Sequence, residues 1–319
     1  MFGLSQIPSA SSGDHASART WRKVLMRKLT PDAIKRVLRY KRMIVGLVVL
    51  LFVLVSAVLG PLLSSHDPTS QNLPLRLRPP LTSTSEEGRG GSRSYYILGT
   101  DHLGRDVTTR LFYGGRISLL VGLSSVALAA AAGLLLGLLA GNFGGAVDSV
   151  IMRIVDLQLA FPFILLALAI VALLGPSLQN IIFVFAITSW PIYARTVRPM
   201  ALSIREKEFI EAARAAGAGH GRVIFRHILP NIASPLIVIA SFEVAKMVIM
   251  EAAMGFLGLG VPPPTPTWGN MLADGRDYIR TAWWLTTFPG LAIMVTATGI
   301  NLLGDALRDI FDPRLKYQS

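Results

Sequence analysis

Residues Ser203 to Asn231 read SIREKEFIEAARAAGAGHGRVIFRHILPN, a polar island between long apolar segments. Ser203 and Glu206 have capping-box spacing, which predicts a helix starting there, with Lys207 and Glu211, and Glu211 and Arg214, placed to pair along its surface. Gly217, Gly219 and Gly221 admit the left-handed and open conformations that stop a helix, so this one ends at Gly217. Arg222 to Ile228 then restarts a helix, which Pro230 ends. Ala212, Ala213, Ala215 and Ala216 leave part of the first helix with almost no side chain, so another surface can approach its backbone closely. A stiff helix, a flexible elbow and a second helix together suit a docking element.

The flanking sequence places this element at a membrane. With 319 residues, 52% of them hydrophobic and 16% charged, the chain is too apolar for an ordinary soluble domain and has several runs near spanning length. A formal charge of +12 clustered on a soluble domain would suggest nucleic acid; here the basic residues collect at the ends of apolar segments and act as topology signals. The absence of cysteine excludes disulfides and thiolate metal sites.

Residues 1–20 are rich in Ser, Gly and Ala without periodicity. Trp21 to Arg42 is strongly basic, with Thr30 as N-cap and Pro31 at the first helical position, and reads as an interfacial helix on anionic lipid. Ile44 to Leu63 is the first span; despite Val55-Ser56-Ala57, its apolar run is too long for a cleaved signal. An external excursion follows, low in complexity from Ser83 to Ser94. Asp101 with Arg105 and Asp106 with Arg110 have i,i+4 spacing, which predicts an amphipathic surface helix ended by Gly114 and Gly115, in preference to a substrate contact. His102 stands alone as a potential metal ligand.

The remaining spans are Ile117 to Gly141, Val150 to Leu174, Ile181 to Tyr193 with length to borrow from Ser177, Ile232 to Leu259, and Ala282 to Leu303. In the second, Gly133, Gly137 and Gly141 recur every four residues, a spacing that lets two helices touch backbone to backbone. The third carries Arg153 and Asp156 near its start, where a position at the cytoplasmic boundary and a buried functional pair are equally compatible with the sequence, and Pro162 within it. The fifth carries Glu243, Lys246 and Glu251, each costing about 2.5–3.5 kcal/mol on insertion, so they should face the bundle interior and pair. Glu243 and Lys246 are suitably spaced, and a structural pair and a pathway-lining pair are equally compatible with that spacing. GFLGLGVPPPTPTWGNMLADG precedes the last span as a stiff loop, and Trp268, Trp283 and Trp284 suit a membrane interface.

Ten basic residues precede the first span, seven lie in or near the polar island and three in the tail, so six spans put both termini and the island in the cytoplasm. The expected organisation is a basic N-terminal region (1–42), a first span (43–63), an external loop (64–116), a five-helix core (117–307) containing the polar loop 203–231, and a tail (308–319). No GxxxxGK[ST] loop, HExxH or cluster of metal ligands is present. Energy for uphill transport would come from a partner ATPase, or from an ion gradient acting through a relay of Asp156, Glu243, Lys246 and Glu251. A scaffold or receptor would need no buried charges.

Glu211-Ala212-Ala213, Gly217 and Leu229-Pro230 resemble the EAA loop of ABC importer permeases. YYILGTDHLGRDVTTRLFYGGRISLLVG, the proline-rich loop and the tail GDALRDIFDPRLKYQS resemble the dipeptide/oligopeptide branch, specifically its C-type second permease. One departure is His227, with Ile228 after it, where the family pattern places an aliphatic residue. The resemblance implies an all-α integral membrane protein with the six-helix type I importer permease (MetI-like) fold, in the inner membrane of a prokaryote. It implies that Glu211, Ala212, Ala213, Gly217, Leu229 and Pro230 couple to an ATPase. It also implies a heterodimer with a homologous second permease, two cytoplasmic ABC ATPase subunits that bind ATP and Mg, and an extracytoplasmic solute-binding protein. The chain itself would hold no cofactor or metal.

Overall fold

The structure, a computed structural model, describes residues 41–64, 66–85 and 93–311. The interfacial helix expected from Trp21 falls, up to residue 40, outside the described residues, as does the tail from residue 312. The described chain forms α1 (Lys41–Leu63), a hairpin of β1 (Thr82–Ser85) and β2 (Arg93–Tyr96), α2 (Val107–Phe143), α3 (Gly145–Leu159), α4 (Phe163–Leu174), α5 (Leu178–Arg205), α6 (Glu208–Ala215), α7 (His220–Val223), α8 (Leu229–Phe256), α9 (Trp268–Gly275) and α10 (Trp284–Phe311). Among the described residues five helices are long and apolar enough to cross a bilayer, or six if α3 and α4 count as one broken span. The expected all-α membrane architecture is present. The hairpin is its only departure among the described residues, pairing the two ends of the low-complexity segment with Thr82 opposite Tyr96.

The core is a seam between α2 and α5, with α10 packed between α1 and α8. A Cβ on Gly137 would stand 2.8 Å from Cβ of Val197, and one on Gly141 2.7 Å from Cβ of Ala201, so the helices meet without intervening side chains. Gly133, Gly137 and Gly141 all lie on the face of α2 that meets α5. Ser177 caps α5 by accepting from the Asn180 amide, but most of the length that the fourth span lacked comes from downstream, where the helix continues past Tyr193 to Arg205.

Four local expectations are corrected. Gly114 and Gly115 do not end a helix: α2 runs unbroken for 37 residues, about 56 Å, well beyond the bilayer's hydrocarbon core of about 30 Å. A Cβ on Gly115 would stand 2.7 Å from the Trp268 ring, so close packing offsets the glycines' weak helix propensity. The third span is not continuous. Pro162 has no amide to donate and disfavours helix at Phe161, and α3 and α4 meet there at 91°.

Ser203 and Glu206 form no capping box. Val197, Ala201 and Ile204 are buried in succession, so packing carries α5 on to Arg205, and Lys207, in extended conformation, caps α6 instead. Nor does Pro230 end a helix. It sits in the first turn of α8, which continues α7 through a widened π turn, Ile224–Ile228, where the Leu229 amide bonds to the Ile224 carbonyl. The proline's missing amide, and its clash with the carbonyl four residues back, account for the widening.

Candidate functional site

The polar loop folds into a compact unit at one end of α5. Ile210 is the buried residue of α6 and packs with Val223, Ile228 and Ile232. Glu211, Ala212, Arg214, Ala215, Ala216 and Gly217 are exposed, with Ala213 half-buried. Neither surface pair expected for Glu211, with Lys207 or with Arg214, forms. The α6 terminus is a Schellman turn: the Gly217 amide bonds to Arg214 O at 2.9 Å, the Ala218 amide to Ala213 O at 3.0 Å, and Gly217 has φ +85°. The departure at His227 is accommodated by the π turn. Ile228 points into the core, while the His227 ring lies 6.2 Å from that of Phe209 on α6. Leu229 is half-buried, Pro230 is exposed, and Arg222, Phe225, Arg226 and Pro230 line a shallow cleft.

The unit is tied to the bundle by contacts that the sequence did not reveal. Arg205, the last residue of α5, donates to the carbonyls of Gly141 and Asn142 at 3.3 and 2.9 Å, satisfying carbonyls that the end of α2 leaves without helical partners. Arg198 forms a two-pronged pair with Asp148 of α3. Together with the glycine seam, these make α2, α3 and α5 one body with α6 at its end.

The intramembrane charges separate. Lys246 lies 3.2 Å from Glu243, as their spacing suggested. Glu251 is fully buried: Ser118 Oγ of α2 donates to its Oε2 at 2.7 Å, and the Thr267 hydroxyl adjoins it. Asp156 is exposed on α3 and makes no ion pair among the described residues. The four residues expected as a proton relay are therefore not assembled into one.

A second polar cluster lies where the segment preceding α2 meets α9. Asp101 and Arg105 pair inside a turn, not on a helix, and both are buried. Asp106 is not paired with Arg110 but caps α2, accepting from the amides of Thr108 and Thr109. Arg110 instead reaches Asp274 at 3.1 Å and Asp101 at 3.6 Å, and Arg105 reaches Asp274 at 3.0 Å. The predicted amphipathic surface helix is thus a buried ionic staple. His102 is not isolated either, since its ligand atom lies within 4.8 Å of those of Asp101 and Asp274, but guanidinium groups already engage both carboxylates. Trp268 and Trp284 are buried, donating to the carbonyls of Leu111 and Thr100; of the three tryptophans assigned to the interface, Trp283 alone is exposed.

Removing one member of a buried ionic network costs about 3–5 kcal/mol, because its partners stay buried without compensation. Arg110→Met is expected to lower thermal stability of the detergent-solubilised protein by that order, whereas Arg276→Met, in an exposed pair with Asp277, leaves melting unchanged. Equal melting temperatures for the two variants would show that the staple contributes nothing.

Residues 133–317 match the family model for the binding-protein-dependent transport system inner membrane component, and residues 28–80 that for the N-terminal TM domain of oligopeptide transport permease C. The chain is 46% identical over 271 residues to a di/tripeptide transport system permease protein of Pseudomonas aeruginosa, covering 85% of this chain and 88% of the relative. It is 45% identical over 285 residues to a dipeptide transport system permease protein of Alkalihalophilus pseudofirmus, covering 89% and 90%. It is also 45% identical over 278 residues to the corresponding Escherichia coli protein, covering 87% and 91%. An inward-facing structure of the MetNI methionine ABC transporter superposes with TM-score 0.50 at 23% identity, over 63% of this chain and 96% of that one, a likeness of fold. An exposed helix on a rigid multi-span bundle, matched over this length, identifies the chain as a member of the binding-protein-dependent inner membrane component family, a C-type permease subunit of an ABC importer.

Proposed function

We propose that the chain forms half of the translocation pathway of an importer for dipeptides or oligopeptides, paired with a homologous second permease in a heterodimer. Two cytoplasmic ATPase subunits bind ATP and Mg, and an extracytoplasmic solute-binding protein delivers the substrate. The dipeptide permeases among its relatives support the substrate class. Both termini and the unit from Glu208 to Ile228 face the cytoplasm, in keeping with the basic residues concentrated there.

One observation carries the coupling role: α6 is anchored on one side by Ile210 and leaves Glu211, Ala212 and Ala216 exposed on the other. Seated in a groove on one ATPase, α6 passes the ATPase closing motion to α5 through Lys207 and to α8 through the π turn at Leu229 and Pro230. Arg205 and the Gly133, Gly137 and Gly141 seam carry it on to α2. Purification of the tagged chain in mild detergent, with mass spectrometry and an ATPase assay of the eluate, tests this. A second permease, two P-loop ATPases and ATP hydrolysis are expected. A chain that purifies alone and takes up solute in liposomes under a pH gradient would overturn the proposal.

A further inference from the structure

Glu243 and Lys246 have a setting that a purely structural ion pair does not require. The pair lies within α8, yet the Lys246 side chain is 35% exposed and that of Glu243 13%. An ammonium group facing hydrocarbon is costly, so the open side of this pair faces protein or water. Two further elements converge on it. The Lys246 ammonium stands 5.3 Å over the ring of Phe163, the first residue of α4 after the break, and that ring packs 5.7 Å from Phe185 of α5. Tyr193 of α5, a helix in contact with α8, is fully buried and has no hydrogen-bond partner for its hydroxyl. A buried phenol of this kind normally finds a partner. The site therefore contains an anion and a partly exposed cation held over an aromatic face, with an unsatisfied hydroxyl buried on a neighbouring helix.

We infer that Glu243 and Lys246 form a transit subsite for the charged termini of a short zwitterionic peptide, with Glu243 taking the ammonium and Lys246 the carboxylate. The inference rests on the peptide-import reading above. With no substrate present, the two side chains neutralise each other at 3.2 Å. A zwitterion entering between them exchanges one ion pair for two of the same kind, so no charge is left uncompensated at any stage. Because the resident pair competes with the substrate, binding stays weak, as transit requires.

The test uses the complete importer in proteoliposomes with its loaded binding protein, reading uptake of labelled dialanine and ATP hydrolysis together. Lys246→Met and Glu243→Gln are expected to lower dialanine taken up per ATP about tenfold, the loss of one charged hydrogen bond, while stimulated ATPase activity stays within about twofold of wild type. The exchanged variant Glu243→Lys/Lys246→Glu keeps a pair but reverses its polarity against the Phe163 ring, and its uptake is expected to stay low while its ATPase activity remains normal. Full recovery of uptake in the exchanged variant, or wild-type uptake per ATP in both single variants, would mean the pair is structural and overturn the inference. A wild-type importer that hydrolyses ATP but takes up no dialanine would overturn the peptide reading itself, and this inference with it.

Discussion

Gly133→Leu is expected to leave almost no folded chain in the membrane. A Cβ at residue 133 would stand 2.5 Å from the Trp190 carbonyl oxygen and 2.9 Å from the Ala194 amide nitrogen, with Cβ of Tyr193 closer still. Backbone atoms of a helix cannot rotate aside as a side-chain tip can, so the substitution must push α5 off α2. Overpacking a close-packed interior costs about 1–3 kcal/mol where neighbours can shift, and more where they cannot, against a total stability of about 5–15 kcal/mol. The same displacement would pull Gly137 and Gly141 out of register with Val197 and Ala201, so the whole seam is lost together. Size-exclusion chromatography of the detergent-solubilised protein should show the monodisperse peak vanish. Gly290→Ala on α10, where the nearest atom to the new Cβ is 4.0 Å away, should melt at or slightly above the wild-type temperature. A stable Gly133→Leu protein would mean that α2 and α5 do not meet through their backbones.

Gly217→Val and Glu211→Lys are expected to abolish ATP-driven uptake while the chain still inserts and folds. Nothing lies within 4 Å of a Cβ placed on Gly217, so the valine clashes with nothing. Its effect comes from the backbone: the left-handed conformation costs an L-residue about 1–2 kcal/mol, and a β-branched one more. The Schellman turn then opens, and α6 loses its set angle to α7, which follows it. Glu211 is exposed and makes no ion pair, so reversing its charge costs the fold little and acts on the docking face alone. Uptake by the reconstituted importer, normalised to the permease present, should fall at least about tenfold in each variant, the equivalent of about 1.4 kcal/mol of coupling. Wild-type uptake by both would show that α6 is not where the ATPase acts.

Features governed by short-range chemistry were legible in the sequence. The stop at Gly217 follows from a backbone conformation that glycine adopts freely, and the structure builds it as a Schellman turn. The four-residue glycine repeat of α2 announces close packing because every repeat falls on one face of the helix. The Glu243–Lys246 pair follows from neighbours one turn apart. Apolar length alone located five of the expected spans, since hydrocarbon admits little else.

The partners that each residue finds across the bundle were not legible, and the corrections share that cause. An i,i+4 spacing says which side chains meet if the backbone is helical. Asp101 and Arg105 pair in a turn, and Arg110 pairs with Asp274, which lies 164 residues away in the chain. Ser203 and Glu206 have the chemistry of a cap, but burial of Ala201 and Ile204 against α2 outweighs the roughly 1 kcal/mol that a cap contributes, so the helix runs on. Asp156 and Glu251 looked alike as charges in apolar runs, yet one is exposed on a helix that breaks at Pro162 and the other is sealed against Ser118. The sequence by itself determined a multi-span helical bundle with one exposed polar loop, because hydropathy and backbone freedom are local properties. Only the tertiary structure decided that the ionic staple is buried, that α2, α3, α5 and α6 form one body, and that Phe163 stands over Lys246, because each depends on which helices pack together.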